Sequence, residues 1–438
     1  MMKKRNLFVA AYLMMGVAVG FTSCSNDDVL NGDINNGNED SAVQQIVLQV
    51  ANAGDGLTTR AGRPLESSEA TQTIENVKVI VCKGTTVSYA TTITDWSNSN
   101  STVYTTGGHG REAVIEIPKD DKLSAGSYTV YAIGYHDDSN YTDIDAQIGN
   151  IAKGGTFNEN VTLAFSDTEN KTKAEEIFAG SISLEVESGK GFRTPVVLNR
   201  QVAGSFAYVK DIPAMEGASK LQLVASAQNT GLVLGKFGNF DLTGNGSGND
   251  GHINYVVNGT TASTGSDSYV VYEIELSKWF EKPTLDENND GMIDLGEDNS
   301  NWKGEKEYAA GSVFGGTFVI PFAKVADKST FTLQLVKADG TTVLREWAVK
   351  LPAQDGQLSD HTLFTWNGTS FGEGTTQKDG NLIYNVVRNH LYGIGARPSS
   401  EPTNPGEGPD EPESLNTKQE LTLRVNDNWE VIHNMVID

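Results

Sequence analysis

The sequence predicts an all-β chain built as two β-sandwiches in series, and three observations carry that prediction. Glycine- and Asn/Asp-rich clusters, such as residues 242–251, punctuate short runs rich in Val, Ile, Thr, Tyr and Phe. No stretch sustains the apolar period of a long amphipathic helix, and the best helical candidate is a single turn near residues 171–176. A chain of 438 residues with 38% hydrophobic content has enough apolar material for two ordinary cores.

The chain opens with a signal sequence. Lys3, Lys4 and Arg5 form a positive n-region, and the apolar run 7–19 is too short to span a bilayer but suits a signal h-region. Gly20-Phe21-Thr22-Ser23-Cys24 looks like a lipobox. In that reading residues 1–23 are removed and Cys24 carries acyl chains, palmitate among them, anchoring the chain without spanning the membrane. An ordinary secretory signal with an incidental cysteine is the alternative. Residues 25–59 are polar and read as a tether, interrupted by the alternating segment 43–50, which predicts an isolated strand. Residues 54–64 predict an exposed, protease-sensitive stretch in which Arg60 before Ala61 suits an arginine-specific protease, whereas Arg63 precedes Pro64.

Strand-like runs then follow at 76–82, 112–117, 126–134, 161–165, 182–186 and 194–199, and a second set at 202–209, 220–225, 268–276, 316–322, 330–336 and 343–351. Residues 126–133 carry aromatic and β-branched side chains on both faces, the pattern of a central strand. Ala338-Asp339-Gly340 predicts a hairpin turn. The lone Cys82 falls on a buried-strand pattern and reads as a core residue. These runs divide the chain into a propeptide at 24–60, an N-terminal sandwich at 61–190, a C-terminal sandwich at 191–397, and a linker with a last strand at 398–438. Residues 419–425 alternate behind a Pro/Glu/Gly-rich linker with no obvious partner in their own domain, so they are expected to reach another molecule; an edge strand of the same domain is the alternative.

With 33 basic against 57 acidic residues and a net charge of −24, binding of nucleic acid or an anionic lipid surface through a broad basic face is excluded. Two cysteines supply no disulfide framework. Asp286, Asn288, Asp290, Met292, Asp294 and Glu297 occupy the ligand positions of a twelve-residue calcium loop, with Gly291 at its sharp turn. Hard oxygens converging on one point call for a divalent cation, so a structural Ca2+ is expected; an acidic, solvated loop is the competing reading. The G-x-G-x-x-G match at 246–251 precedes a strand-like run, which removes the helix N-terminus that phosphate binding requires. His136-Asp137-Asp138 reads as a polar loop after a core strand. No nucleophile, metalloprotease or Cys-His pattern is present, so the chain is expected not to be an enzyme.

Two segments complete the picture: Glu175-Glu176-Ile177-Phe178-Ala179-Gly180 followed by Val196-Val197-Leu198-Asn199-Arg200-Gln201-Val202-Ala203, and Tyr384-Asn385-Val386-Val387-Arg388-Asn389-His390-Leu391-Tyr392. With the lipobox and the Arg60-Ala61 site, they resemble the fimbrillin family of Bacteroidetes type V pili, most nearly the Mfa-like shaft subunits. That resemblance implies two tandem transthyretin-like β-sandwich domains and a lipoprotein precursor exported to the cell outer membrane. It implies that an arginine-specific protease removes the leader through Arg60, and that loss of the strand 43–50 opens a groove filled by the C-terminal strand of a neighbouring copy. Leu421, Leu423 and Val425 are the expected donor side chains, with Trp429 and Val431 as a second set. The implied partners are other copies or related fimbrial subunits and host receptors, in a pilus that supports adhesion. A non-polymerising surface lipoprotein that binds glycans or host proteins, or a tip or anchor subunit, is the alternative. The calcium loop is not a hallmark of the resemblance.

Overall fold

The structure, a computed structural model, describes residues 42–51, 73–96, 100–104, 110–137, 139–166, 174–235, 255–263, 268–305, 308–351, 360–372, 374–395, 412–416 and 420–426. The first ten strands are β1 (Gln44–Ala51), β2 (Asn76–Lys83), β3 (Thr86–Ile93), β4 (Thr102–Tyr104), β5 (Gly110–Glu116), β6 (Gly126–Tyr135), β7 (Tyr141–Thr142), β8 (Thr162–Phe165), β9 (Phe178–Val186) and β10 (Phe192–Arg200). They are followed by β11 (Ala203–Lys210), β12 (Ala218–Ala225), β13 (Gln228–Val233), β14 (Tyr255–Val257), β15 (Gly259–Ser263), β16 (Tyr269–Glu275) and β17 (Val313–Val319). The rest are β18 (Phe331–Lys337), β19 (Val343–Lys350), β20 (Asp360–Thr365), β21 (Thr375–Lys378), β22 (Leu391–Ile394), β23 (Glu413–Ser414) and β24 (Glu420–Asn426).

The chain is all-β, as the glycine-punctuated β-rich runs predict. In the N-terminal half the strand order is β3-β2-β6-β9-β10-β1-β5-β4. β9 and β10 pair only at Ala179 with Asn199 and Phe178 with Arg200, so the path turns a corner there and folds into two layers. Period-two alternation sorts the side chains. Val77, Val79 and Val81 of β2 meet Ile46, Leu48 and Val50 of β1 and Val196 and Leu198 of β10 in the core between the layers. Ile80 and Cys82 point to the opposite face, where they join Ile144, Ile148, Phe157 and Leu163 in a second core. β6 lies between β2 and β9, the central position its two-faced pattern predicts.

That second core is shared between the halves of the molecule. Leu232 and Leu234 and Ile320, from the C-terminal half, pack into it, and β13 pairs antiparallel with β8. The C-terminal sandwich has the order β16-β12-β18-β19-β24-β22-β11-β17, closed around Leu221, Leu223, Phe331, Leu333, Trp347 and Tyr392. The β18–β19 turn follows the hairpin expectation: Gly340 has φ +69°, and the Asp339 carboxylate accepts the Thr341 and Thr342 amides at 2.9 and 2.8 Å.

Three sequence expectations are corrected. The domain boundary does not fall at 190/191, because β10 pairs along β1 and buries Val196 and Leu198 in the first core; the Gly189-Lys190-Gly191 turn carries the chain from β9 to β10 within the first sandwich. The turn near 171–176 is not helical over its described residues 174–176, where Ala174 instead makes a bridge to Phe318. The C-terminal strand does have partners in its own domain: β24 pairs parallel with β19 and antiparallel with β22, and so joins the two layers of that sandwich.

Candidate functional site

β1 fills a slot. It runs parallel to β10 from Gln44 opposite Phe192 to Val50 opposite Leu198, and antiparallel to β5 from Gln45 opposite Glu116 to Ala51 opposite Gly110. Its inward Ile46, Leu48 and Val50 are each 0% exposed. Gln44 is also buried and closes the start of the slot: its Nε2 donates to the Leu123 carbonyl at 3.0 Å and its Oε1 accepts the Leu123 amide at 2.8 Å. One carboxamide thus satisfies both backbone polar groups of one residue. On the outer face Arg193 Nη1 donates to Gln45 Oε1 at 3.1 Å and Gln49 Nε2 to Glu112 Oε2 at 3.5 Å, beside the exposed Val114 and Val197. A side chain at Gly191 would lie 2.2 Å from the Val43 carbonyl, so glycine is needed where the strand enters.

Burial of Ile46, Val47, Leu48 and Val50 at about 1.5–3 kcal/mol each makes β1 a plug worth about 6–12 kcal/mol. Its removal would also leave the facing edges of β10 and β5 unpaired.

Residues 52–72, which include Arg60 and Ala61, join β1 to the body and lie outside the described residues. The body resumes at Thr73, which is fixed in place: its amide and hydroxyl donate to Glu176 Oε2 at 2.7 and 2.9 Å. Glu176 Oε1 in turn accepts Arg200 Nε at 2.8 Å and Nη2 at 2.6 Å, with both side chains buried and the guanidinium 4.8 Å from the centre of the Phe178 ring. Sequence reasoning singled out this segment without seeing the pair, since nothing in the spacing shows that Glu176 and Arg200 meet across the β9–β10 corner. Gly180 belongs to the same corner; a Cβ there would lie 1.9 Å from the Val197 carbonyl.

The segment 384–392 is a buried junction between the two sandwiches and not a recognition surface. Arg388 Nη1 donates to Gln201 Oε1 at 2.7 Å and to the Gly235 carbonyl at 3.1 Å, and burial pulls its guanidinium pKa down to about 9. Asn389 adopts φ +60°, which an asparagine tolerates, and its amide donates to Val202 at 2.9 Å. Tyr392 Oη accepts the Val387 amide at 3.0 Å and donates to the Asn385 carbonyl at 3.1 Å. Asp137 of the His-Asp-Asp loop is likewise structural, accepting Asn76 Nδ2 at 2.8 Å. Burial raises the Cys82 thiol pKa to about 11, in line with a core role.

Of the expected donor residues, Leu421 and Leu423 are each 0% exposed in the C-terminal core, and Val425 stands opposite Tyr392 on the ladder. Glu420 forms an ion pair with Lys350. Trp429 and Val431 lie outside the described residues, as does Cys24.

The candidate calcium loop sits between β16 and β17, after a single helical turn at Leu276–Trp279. Its carboxylates serve the loop's own amides: Asp294 Oδ2 accepts those of Glu287 and Asn288, Asp286 Oδ2 that of Gly291 at 3.1 Å, and Asp290 Oδ1 that of Met292 at 2.8 Å. Glu297 opens the following 3-10 turn, Glu297–Asn299. Among the described residues no three His, Cys, Asp or Glu side chains are gathered as a metal site. Asp286 Oδ1 is nevertheless a buried carboxylate oxygen with no hydrogen-bond partner, an atom that a cation would satisfy.

No protein-family profile and no curated protein matches the sequence. Among solved structures the chain is similar to a fimbrilin (FimA) from Porphyromonas gingivalis W83, at 13% identity and TM-score 0.35, over 88% of this chain and 98% of that one. It is similar also to the tip fimbrial protein Mfa3 from Porphyromonas gingivalis, at 10% identity and TM-score 0.37, over 83% of this chain and 96% of that one. A third is the fimbrial anchor protein Mfa2 from the same organism, at 11% identity and TM-score 0.32, over 78% of this chain and 100% of that one. The solved structures that this chain resembles thus include fimbrial proteins of Bacteroidetes.

Proposed function

We propose that the protein is a structural subunit of a cell-surface fimbria that supports adhesion. In this reading it is made as a lipoprotein precursor held at the outer membrane through Cys24, cut after Arg60 by an arginine-specific protease, and joined to other copies by donor-strand exchange. The observation that supports the reading is the place of β1, a strand that plugs a two-edged slot yet is joined to the body only through the segment that carries Arg60. While that segment is intact, β1 rebinds at a high effective concentration and outcompetes any strand from outside. After the cut β1 is a dissociable peptide, and Thr73, held by Glu176, confines the change to the residues before it. The C-terminal strand of another copy then adds to the exposed edges by main-chain pairing, with Leu421, Leu423 and Val425 entering the pockets. A head-to-tail contact of this sort does not close on itself and gives a filament.

The test is treatment of the purified, acyl-free precursor with an arginine-specific protease. Oligomer ladders should appear after cleavage at Arg60, and a stable monomer that stays monomeric refutes the reading. A second reading, a surface lipoprotein that binds glycans or host proteins without assembling, is favoured by the seat of β24 in its own sandwich. It predicts no oligomers before or after cleavage and glycan binding unaffected by removal of residues 427–438, which leaves β24 in place.

We also propose that the loop 286–297 takes a structural calcium ion, with oxygens from Asp286, Asn288, Asp290, Met292, Asp294 and Glu297. The unpartnered Asp286 Oδ1 supports this. Calcium should raise Tm over chelator-treated protein, and Asp286→Asn should abolish the difference; equal Tm values with and without chelator refute it.

A further inference from the structure

β1 and the C-terminal segment carry the same pattern. Gln44-Gln45-Ile46-Val47-Leu48-Gln49-Val50 and Gln419-Glu420-Leu421-Thr422-Leu423-Arg424-Val425 match position by position at the inward sites: glutamine, a large aliphatic residue, leucine and valine. The outward sites differ in a particular way. Where β1 presents the neutral Gln45 and Gln49, the C-terminal segment presents Glu420 and Arg424. The slot faces those two positions with charge: Gln45 is bonded to Arg193, and Gln49 to Glu112.

We propose that the C-terminal strand of a second copy enters the β1 slot in this one register, and that two ion pairs absent from the precursor, Glu420 with Arg193 and Arg424 with Glu112, select it. The inference rests on strand exchange and specifies how the partner strand is read. In this register Leu421, Leu423 and Val425 occupy the pockets of Ile46, Leu48 and Val50, and Gln419 meets the Leu123 backbone N–H and C=O that Gln44 satisfies. A slip by one residue would turn every aliphatic side chain to the outer face. A slip by two would keep the aliphatic face but carry Arg424 or Glu420 away from its counter-charge, so charge settles what alternation alone leaves open. Glu116, opposite Gln45 on β5, opposes the Glu420 contact, and the Arg424–Glu112 pair is therefore the stronger selector.

The direction of the strand fits as well. β24 already runs parallel to one neighbour and antiparallel to the other in its own sandwich, as β1 does. There it pairs with β19 over Glu420–Thr422 and with β22 over Leu423–Asn426, each of its residues having one of these two neighbours. In the slot, residues 45–50 of β1 are paired on both sides. Transfer therefore gives each residue of the strand a second main-chain neighbour and keeps the same leucines buried, while β19 and β22 give up their pairing with it.

The test is a charge-reversal cycle in the full-length, acyl-free chain cleaved at Arg60, read as the rate of oligomer formation, with melting of each precursor checked first. Glu112→Arg and Arg424→Glu should each slow assembly about fivefold, as like charges on facing strands do. The double variant should return to near the wild-type rate. Single effects that simply multiply in the double variant would overturn the register while leaving strand exchange standing, provided the wild type assembles; a wild type that never assembles removes the underlying reading. A chain ending at Asn426 should still assemble, and its failure to do so would assign the donor to the segment of Trp429 and Val431 and overturn this register.

Discussion

Leu48→Ala is the most direct probe of β1 as a removable plug. Leu48 is 0% exposed between Ile46 and Val50 and faces the valines of β2 across the first core. A leucine truncated at such a site costs about 2–5 kcal/mol, the spread reflecting how far the walls relax. The pleated walls of two sheets relax little, so about 3 kcal/mol is expected in the intact precursor. The same loss should shorten the residence of the cleaved plug about 100-fold, since each 1.4 kcal/mol is a factor of ten. Two assays read these effects: denaturant unfolding of the precursor, where the midpoint should fall with an unchanged slope, and dissociation of a labelled 42–60 peptide after cleavage. Once the plug has left, variant and wild-type bodies are the same molecule and must have the same stability. A loss below 1 kcal/mol in the precursor, or a difference that persists after the plug has gone, refutes the assignment of β1 as a discrete, removable element of the core.

Glu176→Ala removes one half of a buried ion pair and leaves the Arg200 charge uncompensated. The expected loss is about 3–5 kcal/mol, together with protease sensitivity just after residue 72 as Thr73 loses its acceptor. Glu176→Gln, which keeps the shape, should lose less, and equal stability for all three proteins would exclude a structural role for the pair. Cys82 should resist alkylation in the native protein at pH 8, since burial holds its thiol protonated with a pKa of about 11, and should react once denaturant is added. The raised pKa also means that stability falls as pH rises above about 9, where only the unfolded thiol ionises. A native thiol that titrates near its ordinary value would contradict both statements.

The strand content was legible because alternation and glycine punctuation are local signals. β6 in the middle of its sheet and the Asp339-Gly340 turn follow directly from residue type. What failed to be legible was long-range. The sequence division at 190/191 puts β10 in the second sandwich, and only its pairing with β1, far earlier in the chain, assigns it to the first. Likewise nothing local reveals that Gln44 meets Leu123, or that Glu176 meets Arg200. The plug strand was read from its alternation, but its central place in the sheet depends on partners that the pattern does not name. The calcium loop is legible as a ligand pattern; the orientation of its carboxylates toward their own amides is not, because Asx-type turns and metal ligation use the same residues at the same spacing.

The two cores of the first sandwich lie on opposite faces of the β2–β6 layer, and only one of them touches the β1 slot. The other is continuous with the second sandwich through Leu232, Leu234 and Ile320. The exchange proposed for β1 would therefore leave the joint between the domains intact. Each subunit should behave as one stiff segment that melts in a single step, and a chain of such segments would take up bending and tension at the strands that link one copy to the next.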